Sequence, residues 1–237
     1  MSSLMATLNL RTLVRREDIH PTVILIAAAL LTTLHRTFGS LEAARRIIPG
    51  CDGMTASLFM FGSAFILFGV IPLIILTRAF GESPADYGVQ AGDWRTGLRL
   101  NAILIPLIAV ALLYPASHNG EIRQAYPFAP EAGRSPGAFL LFQAARGVFY
   151  YTAWEFFFRG FLLFGLRRRV GDWLAVCIQT IPQCLWHIGM PTGELLLSIA
   201  GGLMFGTIAL RTRSIFWPML VHYSIAIILD ALIIFQS

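Results

Sequence analysis

The sequence of 237 residues contains no lysine, so all 18 of its basic side chains are arginines. Charge of either sign is scarce, since only 13% of the residues are charged, whereas soluble domains average about 25%. In contrast, 56% of the residues are hydrophobic and the mean hydropathy is +0.68. This balance excludes an ordinary soluble domain and indicates a chain that lies in a membrane.

Cysteine is also scarce. Cys51, Cys177 and Cys184 are too few and too scattered for a disulfide framework. Two of them lie in apolar runs, where a free thiol behaves as a small hydrophobic side chain. The cysteines therefore do not indicate whether the protein lies in an oxidising or a reducing compartment. The sequence also contains no internal repeat or low-complexity tract.

Apolar runs separated by polar loops predict an all-α fold, a polytopic transmembrane helical bundle of about seven spans, within a range of six to eight. Residues 1–136 would form N-terminal spans and loops, and residues 137–237 the core of the same membrane unit. No small-residue cleavage site follows the first run, so we predict that it remains as a span. The predicted spans are residues 21–34, 55–79, 97–115, 147–166, 172–187, 194–210 and 215–235. The fifth is short and contains Pro182, and such a run can also be re-entrant.

The arginines are divided unequally between the two ends of these spans. Eleven fall on the side of the N-terminus: Arg11, Arg15, Arg16, Arg78, Arg95, Arg99, Arg167, Arg168, Arg169, Arg211 and Arg213. Five fall on the opposite side: Arg36, Arg45, Arg46, Arg123 and Arg134. The positive-inside rule then predicts a cytoplasmic N-terminus, in the cell (inner) membrane if the source is bacterial. The same rule explains the net charge of +5, because the arginines lie in short loops between membrane spans. We therefore predict the lipid bilayer as a partner and predict no binding of nucleic acid.

Four ionisable side chains interrupt the apolar runs of the C-terminal half: Glu155, Arg159, His187 and His222. Glu155 and Arg159 are four residues apart, so they share one face of a helix. The carboxylate and the two imidazoles lie about 13–22 Å from the arginine-rich ends of their spans, so they can meet near the middle of the bilayer. Such a group can activate water, since the acid takes a proton and an imidazole, or a metal, polarises a carbonyl.

Each of these residues also has a structural interpretation. Glu155 and Arg159 could form an ion pair with no chemical role, His187 could lie at the interface, and His222 could make an interhelical hydrogen bond. Cys184 and His187 form a CxxH pair, which is a weak metal signal and favours packing. Buried Glu, Arg and His also line ion pathways, so a small transporter or proton-relay protein is an alternative. The absence of paired repeats lowers that alternative.

Other polar or small residues in the spans have simpler interpretations. Arg146 lies about 180° round the helix from Glu155 and is predicted to snorkel to the far interface. Asp230 either faces the cavity of His222 or sits at the outer interface. Glu194 in the first turn of its helix suits the helix dipole. A small-residue stripe in the sixth span predicts close helix packing and consists of Ser198, Gly202 and Gly206.

Three motifs, in this order, resemble the CPBP intramembrane proteases, also called the CAAX-protease, bacteriocin-processing or Abi family and related to the Rce1-type prenyl-protein endopeptidases. They are Glu155-Phe156-Phe157-Phe158-Arg159-Gly160, then His187 after an apolar run, then Pro218-Met219-Leu220-Val221-His222. The resemblance covers about residues 147–230. It implies a helical bundle with a site in mid-membrane that opens towards the cytoplasm, where glutamate-activated water hydrolyses a peptide bond. Some members of the family are called metalloproteases.

Two positions depart from the family pattern. The first motif usually begins with two adjacent glutamates, and here Trp154 occupies the first of them. An asparagine usually stands four residues after the histidine of the third motif, and here Ala226 does. The departures make a catalytically inactive relative, acting as an immunity or membrane-chaperone protein, the first alternative.

We therefore predict an intramembrane endopeptidase that cleaves a membrane-associated peptide or protein, either a CAAX-type prenylated substrate or a leader peptide. Glu155 would be the general base and Arg159 its orienting partner, while His187 and His222 would polarise the scissile carbonyl or fix the water. The candidate cofactor is a divalent metal such as zinc, for which the predicted ligands are Glu155, His187 and His222.

Overall fold

A computed structural model describes residues 15–236, and within this range the chain forms nine helices and no strand. They are α1 (Arg16–Gly39), α2 (Leu41–Ile47), α3 (Gly53–Ala79), α4 (Trp94–Ala116), α5 (Gly120–Ala125), α6 (136–170), α7 (Asp172–Trp186), α8 (Thr192–Thr212) and α9 (Phe216–Phe235). The predicted all-α helical bundle is confirmed.

Within the described range, five helices are long and apolar enough to cross a membrane, namely α1, α3, α4, α8 and α9. They correspond to the first, second, third, sixth and seventh predicted spans. The other two predicted spans correspond to α6, which carries charged residues in its middle, and to α7, which has 15 residues. A multi-pass bundle follows from the five helices, whereas the total of seven spans stays a prediction.

Several helices begin at a polar side chain that accepts a hydrogen bond from the backbone of the first turn. Asp52 accepts from the N–H of Thr55 at 2.8 Å where α3 begins. Ser135 does the same for the N–H of Ala138 at 3.1 Å, directly before Pro136 opens α6. These caps satisfy N–H groups that have no partner inside the helix, and so they fix where loops end and helices start.

Helix α6 is the centre of the bundle. It contacts α1, α3, α7, α8 and α9. Aromatic side chains fill the space around its middle, since Phe157, Phe158 and Phe161 are fully buried and Phe157 stacks on Phe68 of α3 with ring centroids 4.5 Å apart. The polar residues in the middle of α6, Gln143, Arg146, Glu155 and Arg159, are therefore enclosed by protein and do not face lipid.

Contacts between helix ends define two ends of the bundle. At the first, Arg169 at the end of α6 lies 2.8 Å from Asp18 at the start of α1, and the N–H of Ile215 before α9 donates to the carbonyl of Gly88 at 2.9 Å. We call this the arginine-rich end, because it gathers the arginines that the sequence assigned to the N-terminal side. Of these, Arg11 lies outside the described residues. The structure confirms that the segments meet, and the side of the membrane that they face stays a prediction.

The prediction that Arg146 reaches the interface is wrong. Its side chain is 3% exposed, and its Nη1 lies 2.8 Å from Oδ2 of Asp230 on α9. Gln143, one turn earlier on α6, donates to the same oxygen at 2.7 Å. The sequence left two positions open for Asp230, and the structure buries it in this ion pair. Because a partner on α9 neutralises the guanidinium inside the bundle, the side chain has no need to reach water.

The small-residue stripe of α8 packs against α7, as predicted. A Cβ atom on Gly202 would lie 2.7 Å from Thr180, and one on Gly206 would lie 3.1 Å from Gln179. The close approach also lets the side chain of Gln179 donate to the carbonyl of Gly202 at 2.8 Å. The stripe therefore joins the two helices that flank the loop after His187.

We expect Asp230→Ala to lower the free energy of unfolding by about 3–5 kcal/mol, because Arg146 then remains as an unpaired buried charge. The matched control is Asp172→Ala, which removes the partly exposed partner of Arg167 and should cost no more than about 1 kcal/mol. Thermal unfolding of the purified protein in detergent measures both effects. Replacing the buried pair together, by Arg146→Met with Asp230→Leu, should restore most of the loss. Equal losses in the two alanine variants would contradict a buried ion pair.

Candidate functional site

The structure brings Glu155 into contact with two of its predicted partners. Its Oε1 atom lies 2.7 Å from Nδ1 of His222 on α9, and its Oε2 atom lies 3.2 Å from Nε of Arg159 on α6. Both side chains of the Glu155–Arg159 pair are completely buried. The carboxylate is thus held between an imidazole and a guanidinium, with no direct access to solvent.

His187 completes the group from the end of α7. Its Nδ1 atom lies 2.8 Å from the carbonyl oxygen of Gln183, one turn earlier. The ring of Trp154 lies next to both histidines, with centroid distances of 6.1 Å to His187 and 6.3 Å to His222. Trp154 is 1% exposed. An indole therefore stands beside both imidazoles at the position where the family pattern has its first glutamate.

Both histidines line a cavity of about 590 Å³ between α4, α8 and α9. Its walls are mainly apolar, with Ile108 on α4 and Leu197 on α8 among them. From the histidines it extends towards the end of the bundle opposite the arginine-rich end, where Tyr126 and Glu194 line it. The predicted cytoplasmic N-terminus and the cytoplasmic opening implied by the family resemblance are therefore incompatible for this cavity.

Neither Glu155 nor Arg159 is among the residues that line the cavity. Of the four predicted site residues, only His187 and His222 present ring atoms to a bound molecule. Glu155 reaches the cavity through its hydrogen bond to His222. The predicted residues thus form two layers, with the histidines in front and the ion pair behind them.

The hydrogen-bond partners fix the tautomers of both imidazoles. A carbonyl oxygen only accepts, so Nδ1 of His187 carries the proton that it donates to Gln183. A carboxylate oxygen of Glu155 likewise accepts from Nδ1 of His222. In the neutral form, each ring then has its lone pair on Nε2. Both rings can accept a proton or a hydrogen bond at that atom.

Arg159 has an unusual environment for a guanidinium. Its Nη1 and Nη2 atoms form no hydrogen bond within the described range, and the group lies 5.3 Å from the ring centroid of Phe205 and 6.0 Å from that of Phe158. Cation–π contacts and the ion pair with Glu155 are its stabilising interactions. This placement is compatible with the predicted role of Arg159 as orienting partner of Glu155, because the guanidinium contacts the carboxylate and does not line the cavity.

Sequence reasoning missed Tyr151, which lines the cavity one turn before Glu155 on α6. Its ring meets that of His222 edge-on, with centroids 4.8 Å apart. Its hydroxyl forms no hydrogen bond with the described residues. The spacing of four residues from Glu155 could have identified it, since it places both side chains on one helix face.

Glu194 has more contacts than the predicted first-turn position required. Its Oε1 accepts a hydrogen bond from the hydroxyl of Tyr126 at 2.7 Å, and both residues line the cavity. Tyr126 lies in the loop between α5 and α6. No sequence pattern pairs these two residues, because they are far apart in the chain and belong to separate elements.

The predicted metal ligands do not form a metal site. In the part of the chain that the structure describes, no group of three His, Cys, Asp or Glu side chains is arranged to hold a metal ion. The oxygens of Glu155 already face His222 and Arg159, and the Nδ1 atoms of both histidines are engaged. The donor set therefore does not fit a metal bound by Glu155, His187 and His222 together. Zinc as a cofactor stays a prediction that metal analysis of the purified protein tests.

Comparison with known families identifies the part of the chain that holds this site. Residues 136–228 match the family model described as type II CAAX prenyl endopeptidase, Rce1-like. The match begins where α6 begins and ends within α9, so it contains all four predicted site residues and Tyr151. The family predicted from the three motifs is confirmed for this segment. Searches of curated proteins and of solved structures gave no match.

Proposed function

From the Rce1-like segment and its mid-bundle cavity, we propose that this protein is an intramembrane endopeptidase of the CAAX-protease type. The observation that carries the proposal is the carboxylate–imidazole pair of Glu155 and His222, whose ring faces an apolar cavity beside a second imidazole. A base held by an orienting acid at the edge of a cavity is the arrangement required to activate water.

In this mechanism His222 is the general base. Water in the cavity donates one proton to Nε2 of His222 as its oxygen attacks the carbonyl carbon of the scissile peptide bond. The proton then passes from the imidazolium to the leaving amine nitrogen, and the C–N bond breaks. Glu155 holds the ring in the required tautomer and stabilises the imidazolium, so it is a positioning residue that acts through His222. The sequence analysis predicted Glu155 as the general base, and this proposal instead assigns that role to its hydrogen-bond partner, His222.

His187 would hold the same water from the other side. His187 also lines the cavity and has Nε2 as its free acceptor, so a water molecule that donates to both rings keeps a lone pair for attack. Two acceptors fix the orientation of the nucleophile and lower the entropic cost of reaching the transition state. His187 therefore acts as a water ligand in this proposal.

The developing oxyanion requires a donor, which Tyr151 can supply. The family pattern has an asparagine four residues after the third-motif histidine, and the methyl group of Ala226 at that position in this chain cannot donate. Ala226 and Tyr151 both line the cavity. We assign the oxyanion contact to the hydroxyl of Tyr151, which has no other partner among the described residues.

The cavity fits a substrate that is itself in the membrane. Helices α4 and α8 line the cavity, and each also carries exposed apolar side chains that do not line it, such as Val110 at 74% and Leu196 at 63% exposure. An apolar chain in the bilayer can therefore reach the cavity between these helices. This supports a prenylated peptide or the apolar part of a leader peptide as substrate.

One observation favours a second candidate function. Trp154 is packed against both imidazoles at the position of the usual first glutamate. A chain that binds a membrane peptide without cleaving it, as an immunity or membrane-chaperone protein would, has no need of that carboxylate. The two candidates differ in hydrolysis, and both predict peptide binding in the cavity.

We expect Glu155→Gln and His222→Gln each to lower kcat by about 10²–10⁴-fold, because either change removes the oriented base. Hydrolysis of prenylated and leader peptides by the purified protein measures the effect. The matched controls are Glu42→Gln and His20→Gln, which replace residues of the same types that do not line the cavity. Unchanged cleavage in the site variants would contradict the mechanism. Peptide binding without hydrolysis in the wild type would support the second candidate.

We expect Tyr151→Phe to lower kcat by about 10²–10³-fold with little change in KM, because the hydroxyl is assigned to the transition state alone. Tyr150→Phe is the control, since Tyr150 is equally buried at 6% exposure and does not line the cavity. A Tyr151→Phe variant with wild-type kcat would remove Tyr151 from the mechanism and leave His222 in place.

We propose that the arginine-rich end faces the cytoplasm, since it holds twice the number of arginines of the other end among the described residues. In a variant without the native Cys51, Cys177 and Cys184, we expect an impermeant thiol reagent added to intact cells to label Glu121→Cys. The same reagent should not label Ala85→Cys, which is exposed at the arginine-rich end. Labelling in the reverse pattern would invert the orientation.

A further inference from the structure

A second pocket lies at the arginine-rich end, away from the histidines. Its volume is about 500 Å³, and it is formed where α6 and α8 end, where α7 begins, and where the loop before α4 packs on them. Three arginines line it, namely Arg167, Arg168 and Arg213. The remaining lining residues are Ala85, Asp86, Gln90, Phe164 and Asp172.

The fold fixes the position of Arg213. Its backbone has φ of 55°, a left-handed conformation that is uncommon for a residue other than glycine, and it ends α8. The side chain of Gln90 donates to the carbonyl of Arg213 at 3.2 Å, and the N–H of Asp93 donates to that of Thr212 at 2.7 Å. These hydrogen bonds from the loop hold the α8–α9 turn at the pocket, so the backbone of Arg213 has a fixed position there.

The three arginines are neutralised to different degrees. Arg167 is held by both oxygens of Asp172, at 2.8 and 3.0 Å. Arg168 is 75% exposed and has one carboxylate oxygen, of Asp86, at 3.9 Å. Arg213 forms no ion pair within the described range. Two guanidinium groups in one pocket are therefore free to bind an anion.

The neighbouring Arg169 shows the contrast. It follows Arg168 on α6, but its guanidinium lies 2.8 Å from Asp18 and 3.4 Å from Glu17 at the start of α1. Two carboxylates neutralise it, and it does not line the pocket. The positive charge that remains unpaired at the end of α6 is thus directed into the pocket.

We propose that Arg168 and Arg213 bind the phosphate group of an anionic ligand, either a phospholipid headgroup or free phosphate. Guanidinium groups donate pairs of N–H bonds that match phosphate oxygens. Basic pockets between membrane helices recognise anionic headgroups. Phe164 on α6 adds an apolar side chain to the lining of this pocket. The proposal is independent of peptide hydrolysis, because the pocket shares no lining residue with the cavity of the histidines.

The test compares ligands by their effect on the thermal midpoint of the purified full chain in detergent, since a ligand that binds the folded state raises it. The ligands are short-chain phosphatidylglycerol, short-chain phosphatidylcholine and inorganic phosphate. We expect phosphatidylglycerol to raise the midpoint more than phosphatidylcholine does. Arg168→Gln and Arg213→Asn should each weaken its apparent affinity about fivefold. Asparagine keeps the left-handed backbone accessible at position 213.

The control is Arg211→Gln, which removes the same charge from the same end of the bundle but outside the pocket, and it should leave the affinity unchanged. A rise with phosphatidylglycerol that inorganic phosphate does not compete for identifies a lipid. A rise that phosphate alone reproduces identifies free phosphate. Equal responses to phosphatidylglycerol and phosphatidylcholine would overturn the proposal, as would equal losses in Arg211→Gln and Arg168→Gln.

Discussion

The buried contact among His222, Glu155 and Arg159 constrains the rest of the fold. A carboxylate and a guanidinium removed from water each lose several kcal/mol of solvation, which their attraction offsets only when the geometry is good and further partners exist. The fold supplies them by enclosing α6 in five other helices and by bringing an imidazole from α9 to the carboxylate at 2.7 Å. Both side chains of the pair are fully buried, and among the described residues the ring of His222 is what links Glu155 to the cavity.

Much of this could be predicted from the sequence, because it depends on distance along a helix. The apolar runs gave five of the helices that can span a membrane, and the helix rise placed Glu155, His187 and His222 at compatible depths. What the sequence does not contain is the rotation of each helix about its axis. The error on Arg146 has this origin, since the prediction assumed that the helix face opposite Glu155 meets water. In the structure, that face of α6 meets Asp230 on α9, which lies 84 residues later in the chain and binds Arg146.

The substitution of Trp154 changes how the family motif is used. With two adjacent glutamates, one carboxylate could enter the cavity while the other pairs with the arginine. Here the indole takes the first position and packs edge-on against Trp186 at 5.0 Å, so the remaining carboxylate stays behind His222. Basicity at the cavity surface then belongs to the imidazole. In the proposed mechanism the hydroxyl of Tyr151 supplies the donor that Ala226 lacks. Residues on α6 and α9 would then compensate for both departures from the pattern.

The position of the cavity relative to the charged ends limits how a substrate can arrive. The cavity extends from the histidines to the arginine-poor end, and its described lining includes no residue from the loops at the arginine-rich end. A cytoplasmic arginine-rich end would thus place the opening of this cavity on the opposite side of the membrane. Helices α4 and α8 remove the conflict, because they line the cavity and also carry exposed apolar side chains outside it, such as Val110 and Leu196. We infer that a substrate anchored in the bilayer enters sideways between these two helices. Its lipid or apolar segment then determines access, and the side of the membrane from which the substrate comes does not.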